Sequence, residues 1–140
     1  MRSRVPLVLI EQTLLLLVFA LAAVLCLEVF VWCEKASSLS AEKDWAAVEA
    51  QTAAEILKST GGDWDRAATL GDWTPCGDGW TVFYDGDGGR TAVATVYTLT
   101  VRPQKSGMDN LGQGAVTVTG RGGEPLFSLP VCWQEGMGHD

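Results

Sequence analysis

Few side chains in this 140-residue chain have the type and spacing to do chemistry. The single histidine, His139, stands one residue from the C-terminus, where chain ends are loosely held, and no Ser/His/Asp set can be built around it. Asp85-Gly86-Asp87-Gly88-Gly89 opens like a calcium loop but lacks a third side-chain ligand and a distal glutamate, so a hairpin turn explains it better. The same run has no phosphate-loop lysine and no following helix, and so gives nucleotide binding no support. Asp63, Asp65, Asp72 and Asp78 surround Trp64, Trp73 and Trp80. Tryptophans beside carboxylates suit a sugar or peptide contact surface, while core and sheet-edge packing is their more ordinary use. The expectation is a protein that is not an enzyme, with no cofactor, no metal and no evident small-molecule substrate.

Glu11 is the ionisable group that most needs a reason. Arg2 and Arg4 precede it, Val5 to Ile10 is apolar, Glu11-Gln12-Thr13 breaks in, and Leu14 to Leu27 is then uninterrupted. Continued past Glu28 to Cys33, the apolar segment is about 29 residues, longer than the roughly 20 that cross a bilayer. A carboxylate near the edge of such a segment is costly and implies a partner or a task. Basic residues precede the span, and Glu34 and Lys35 balance each other after it, which predicts a cytoplasmic N-terminus and an exported remainder. A removable secretory signal competes for the same residues. It would need a small-x-small exit, and residues 25–33 offer none; a lipoprotein site at Cys26 meets bulky Leu25. A retained helix in the cell membrane is the reading that remains.

The four cysteines divide in the same way. Cys26 and Cys33 are seven apart on one helix face and cannot bridge each other, so they line the membrane helix. Cys76 and Cys132 belong to the exported part, where disulfides persist. A bridge would close a loop of about 55 residues and add roughly 3–4 kcal/mol. Two buried free thiols are the alternative.

The elements that must position these groups are legible from periodicity. Val29, Trp32, Ala36, Leu39, Lys43, Ala46, Ala50, Ala53 and Leu57 follow a 3–4 alternation along one helix face. Glu34, Lys35, Ser38, Glu42, Asp44, Glu49, Gln51, Glu55 and Lys58 form the solvated face. No Pro or Gly interrupts Leu7 to Thr60, and Gly61-Gly62 ends the helix. One helix of about 53 residues is expected, its alanine-rich lower face open to close packing. A helical turn at Asp65–Thr69 follows. Strands are then expected at Trp80–Tyr84, Thr91–Val101, Ala115–Thr119 and Leu126–Trp133, with Arg102–Gln113 as loop. Short turns between them imply an antiparallel meander covered on one face by the alanines. The net charge of −7 argues against nucleic acid as a direct partner.

A basic leader, an apolar segment with an early glutamate, a long helix continuing into a soluble domain and a C-terminal meander together resemble type IV pilins and type II secretion pseudopilins. Leu7-Val8-Leu9-Ile10-Glu11-Gln12-Thr13-Leu14-Leu15 resembles the prepilin pattern in which the fifth residue of the mature chain is glutamate. Ala46-Ala47, Ala50-Gln51 and Ala53-Ala54-Glu55 are similar to pilin-like proteins of Gram-positive bacteria. The resemblance implies an α+β, pilin-like fold: a basic leader at 1–6, a transmembrane half-helix at 7–33, a soluble half-helix at 34–62 and an exported β domain of about four strands at 63–140. It implies a minor pilin or pseudopilin whose partners are other pilin-like subunits and inner assembly-platform membrane proteins, with Glu11 serving assembly. Processing would fall between Pro6 and Leu7. Pro6 departs from the glycine or other small residue of the family, and proline's fixed φ and missing donor disfavour cleavage there. A membrane-anchored, extracytoplasmic binding module that does not assemble is the rival from another class.

Overall fold

The computed structural model describes residues 4–93 and 96–135, so Arg2 and His139 lie outside the described residues. Internal packing divides the chain into two units, Met1–Ser40 and Ala41–Asp140. Helix α1, Val5–Ser59, contributes to both.

In the first unit α1 starts two residues earlier than expected. Pro6 is tolerated there because the first-turn N–H groups have no intrahelical acceptor, and Val8 N–H donates to the Arg4 carbonyl at 3.3 Å. Every described residue up to Ala41 is exposed. Leu7 is 71% and Phe19 75% accessible, among the most apolar side chains of the protein. The helix is long and apolar enough to cross a membrane. The expected apolar stripe therefore finds no cover over Val29, Trp32, Ala36 and Leu39.

The second unit is an antiparallel sheet with the end of α1 laid on one face. Ala46, Ala50, Ala53, Ala54 and Leu57 are buried in one core with Val82, Leu99, Val101, Val116, Val118 and Val131. Alanine lets the helix backbone approach the strands closely, and the branched strand residues fill the space between. Gly61 (φ 62°) and Gly62 (φ 87°) end the helix, and Gly62 N–H donates to the Leu57 carbonyl at 3.4 Å. Helix α2, Trp64–Gly71, follows at once, capped by an Asp63 carboxylate that accepts from Arg66 N–H.

The sheet has six strands where about four were expected. They are β1 (Thr74–Cys76), β2 (Gly79–Tyr84), β3 (Arg90–Thr91), β4 (Tyr97–Gln104), β5 (Leu111–Thr119) and β6 (Pro125–Gln134). The order is β1-β2-β4-β5-β6, with β3 paired to β2 off that path. The single strand expected at Thr91–Val101 is instead β3 and β4, and both pair with β2. The expected loop Arg102–Gln113 gives up both its ends, because Pro103 pairs with Gly114 and Gln104 with Gln113. Pro103 and the glycines of β5 conceal these extensions in the sequence. On the uncovered face a row of hydroxyl residues crosses five strands in register: Thr74, Thr81, Thr100, Thr117 and Ser128. Thr74, Thr100, Thr117 and Ser128 reach solvent there, as one face of an antiparallel sheet can, whereas Thr81 is buried and its hydroxyl donates to the Leu99 carbonyl at 3.1 Å.

Candidate functional site

The exposed stretch of α1 is the part of the molecule whose chemistry is unmet by its own fold. A helix with Arg4 and Trp32 in opposite headgroup layers would cover about 42 Å, the thickness of a bilayer including its interfaces. Glu11 would then lie roughly 5 Å inside the hydrocarbon. The neighbouring polar group is satisfied locally, since Thr13 Oγ1 donates to the Leu9 carbonyl at 2.8 Å. Glu11 has no such relief: it makes no hydrogen bond or ion pair among the described residues. Arg4, Glu11, Val18, Ala22, Cys26, Val29 and Cys33 recur at helical spacing and share one face. Pro6 and Leu7 both lie in the first turn, so the bond between them is part of a helix.

The proposed bridge between Cys76 and Cys132 is not formed. Both thiols are free, and both are exposed, which also corrects the alternative of buried thiols. Cys76 lies in β1 and Cys132 in β6, opposite ends of the sheet with β2, β4 and β5 between them. Four inter-strand steps put them roughly 19 Å apart, against the 7 Å limit for Cα atoms of a disulfide. Cys76 precedes the first strand that pattern predicts, and only its pairing with β2 fixes it at the far edge of the sheet, which is why the bridge looked open. Cys26 and Cys33 are exposed on α1.

The three tryptophans do not act as one group. Trp64 and Trp80 stack in parallel with centroids 4.9 Å apart, and Trp64 meets Trp133 edge-on at 5.4 Å. Trp73 is buried apart from them against Gly71. A Cβ on Gly62 or Gly112 would overlap the Trp133 indole nitrogen, so both positions must be glycine for that ring to seat. The Trp133 N–H is buried there without a hydrogen-bond partner among the described residues. A cleft of about 400 Å³ beside this cluster is lined by Trp64, Lys105, Asp109, Leu111, Trp133 and Glu135. Trp133 was not singled out from sequence. The signal available was the glycine alternation Gly112–Gly114 opposite a strand tryptophan, which only the register reveals.

A second arrangement was missed. Tyr84 and Tyr97 face each other across β2 and β4, and Trp45 packs on both, at 5.0 and 4.8 Å. Tyr84 Oη donates to Glu49 Oε2 at 2.9 Å. Burial and then the Glu49 carboxylate hold the Tyr84 phenol well above its ordinary pKa. Burial, and after it Glu42, raises Tyr97 in the same way. Glu42 and Glu49, expected on the solvated face, are instead half-buried at the edge of the helix–sheet contact. Their seven-residue spacing brings them back to one side of the helix, a second pattern within the polar set.

Asp85 Oδ1 accepts from the N–H groups of Asp87 (2.9 Å) and Gly89 (2.7 Å), which makes it the organiser of a turn. No group of three or more metal-ligating side chains occurs among the described residues. Compared with family models, with curated proteins and with solved structures, the chain finds no match in any of the three.

Proposed function

We propose that the chain is a single-pass membrane protein of pilin-like type, a minor pilin or pseudopilin that serves as a structural subunit of a type IV pilus, competence or type II secretion-like assembly. One observation carries this reading. A single uninterrupted helix is exposed throughout its first part and sealed by a sheet in its last part, and Glu11, inside the apolar run, has no side-chain partner among the described residues. An exposed surface of that kind needs lipid and neighbouring helices, and a carboxylate within it needs a cation from a neighbour. The N-terminus lies in the cytoplasm and the Ala41–Asp140 unit outside the membrane. Partners are other pilin-like subunits and the membrane proteins of the assembly platform.

Glu11→Leu separates this from a plain anchor. Co-expressed with pilin-like subunits of its host, the variant is expected to insert in the membrane as well as the parent, with its crosslinking to those subunits reduced. Undiminished crosslinking removes the role given to Glu11. The cleft beside Trp64 and Trp133 favours the rival binding module; substitutions of Lys105 and Asp109 that abolish a capture activity while Glu11→Leu leaves it intact would favour that reading.

A further inference from the structure

We propose that the cleft beside Trp64 and Trp133 is a binding site for a neutral carbohydrate, a short stretch of a glycan chain. The inference concerns the Ala41–Asp140 unit alone, and names a ligand for the capture reading whether or not the chain also assembles. The volume of about 400 Å³ lies within the range of small-molecule sites. Its aromatic wall is held in place, since Trp64 is half-buried, stacks in parallel on Trp80 and meets Trp133 edge-on. An aromatic face carries partial negative charge and the C–H hydrogens of a sugar ring are slightly positive, so the flat apolar side of a sugar suits such a wall.

The polar rim is unspent. Gln104, Lys105, Asp109, Asn110 and Glu135 line the cleft and are exposed, and none of their side chains makes a hydrogen bond or ion pair among the described residues. Amides donate and accept, carboxylates accept and the ammonium donates, a mixture that sugar hydroxyls, each donor and acceptor at once, can meet. The main chain there is committed instead. Gln104 and Gln113 pair in the β4–β5 ladder, and Glu135 N–H donates to the Asn110 carbonyl at 3.0 Å. A peptide held through its backbone would need such groups free, so recognition falls to the side chains. Asp109 and Glu135 outweigh Lys105 and oppose an anionic ligand, while Lys105 in the same rim opposes a basic one. A neutral ligand rich in hydroxyls satisfies both conditions.

The test uses the full chain in phosphatidylcholine proteoliposomes, free of sugar-based detergent, with tryptophan fluorescence as the readout. Short oligosaccharides of glucose, galactose, mannose and N-acetylglucosamine are the neutral probes; an oligogalacturonate and an oligolysine are the charged ones. At least one neutral series should change the fluorescence saturably in the micromolar to millimolar range. Trp64→Ala should weaken that binding about tenfold or more. Because Trp64 also packs within the unit, Lys105→Ala and Asp109→Ala, both exposed and outside the core, provide the second reading. Each should weaken binding several-fold while the unit's melting stays in place, and Thr117→Ser on the opposite face of the sheet should bind as the parent does. Absence of saturable binding by every neutral probe at millimolar concentration overturns the proposal. So does binding that Lys105→Ala and Asp109→Ala leave unchanged, or preference for the oligogalacturonate or the oligolysine over all neutral series. None of these results alters crosslinking through Glu11, so failure of sugar binding and failure of assembly are separate outcomes.

Discussion

From Leu7 to Val31 helix α1 carries leucine, valine and phenylalanine and buries none of them; from Ala46 to Leu57 it buries five residues, four of them alanine. Hydrophobicity alone would predict the reverse. The difference lies in what covers each stretch. The large side chains of the first part suit a fluid apolar surrounding that needs no complementary shape. The alanines of the second part suit a sheet whose own valines, leucines and aromatic rings supply the volume, so that the helix contributes closeness. One continuous helix therefore follows two sets of rules, and the change falls near Ser40, where the first packing unit ends.

Substitutions can break this comparison, beginning with the largest effect. Ala50 is fully buried against the sheet, so Ala50→Glu should destabilise the Ala41–Asp140 unit by several kcal/mol through an unpaired buried charge. Thermal melts of the full chain in detergent micelles measure this, and Ala22→Glu in the same melts should leave the unit's transition in place. Gly112→Ala comes next. Its Cβ would overlap the Trp133 ring, and overpacking of this kind costs about 1–3 kcal/mol, readable as a lowered midpoint in urea.

The tyrosine clasp adds a pH dependence with a definite sign. The Tyr84 and Tyr97 phenols titrate above their ordinary value in the folded protein, so the folded state holds its protons more tightly than the unfolded chain. That stability is fully present below about pH 10, the unfolded value, and is lost as pH rises above it. Urea midpoints measured from neutral pH upward should fall beyond that point, and Tyr84→Phe should flatten the fall. At neutral pH Tyr84→Phe costs about 1.5–3 kcal/mol, since it removes a hydrogen bond to the Glu49 carboxylate. Smallest of all is Leu39→Ala. Leu39 is 48% accessible and outside the core, so its effect on the unit's melting should stay within about 0.5 kcal/mol.

Periodicity made the helix, its glycine stop and its buried alanines readable in advance, because each is a local property of spacing. Ala46, Ala50, Ala53 and Leu57 lie in the core as that spacing requires. Local pattern was insufficient wherever pairing decides. Thr74–Cys76 and Arg90–Thr91 are strands of three and two residues that exist only because β2 lies beside them. Pro103 and Gly112 read as loop and pair as strand, because partners in the sheet outweigh weak strand propensity. Glu42 and Glu49 were assigned to water for their charge, and the phenols that draw them inward arrive from strands about 35 to 55 residues further along the chain. Of the residues with a chemical claim, Glu11 was found by its place in an apolar run, and its side chain is exposed in the fold; the fate of Cys76 and Cys132 waited on β1, an edge strand that pattern did not show.

The central claim, one helix in two environments, is tested most directly by protease added outside intact, cell-wall-stripped cells producing the full chain. Mass spectrometry of the membrane fraction should find a retained fragment that includes Glu11 and ends beyond Trp32, with the Ala41–Asp140 unit cut away. Recovery of that whole unit in the culture medium without protease, its apolar segment removed, would contradict the account.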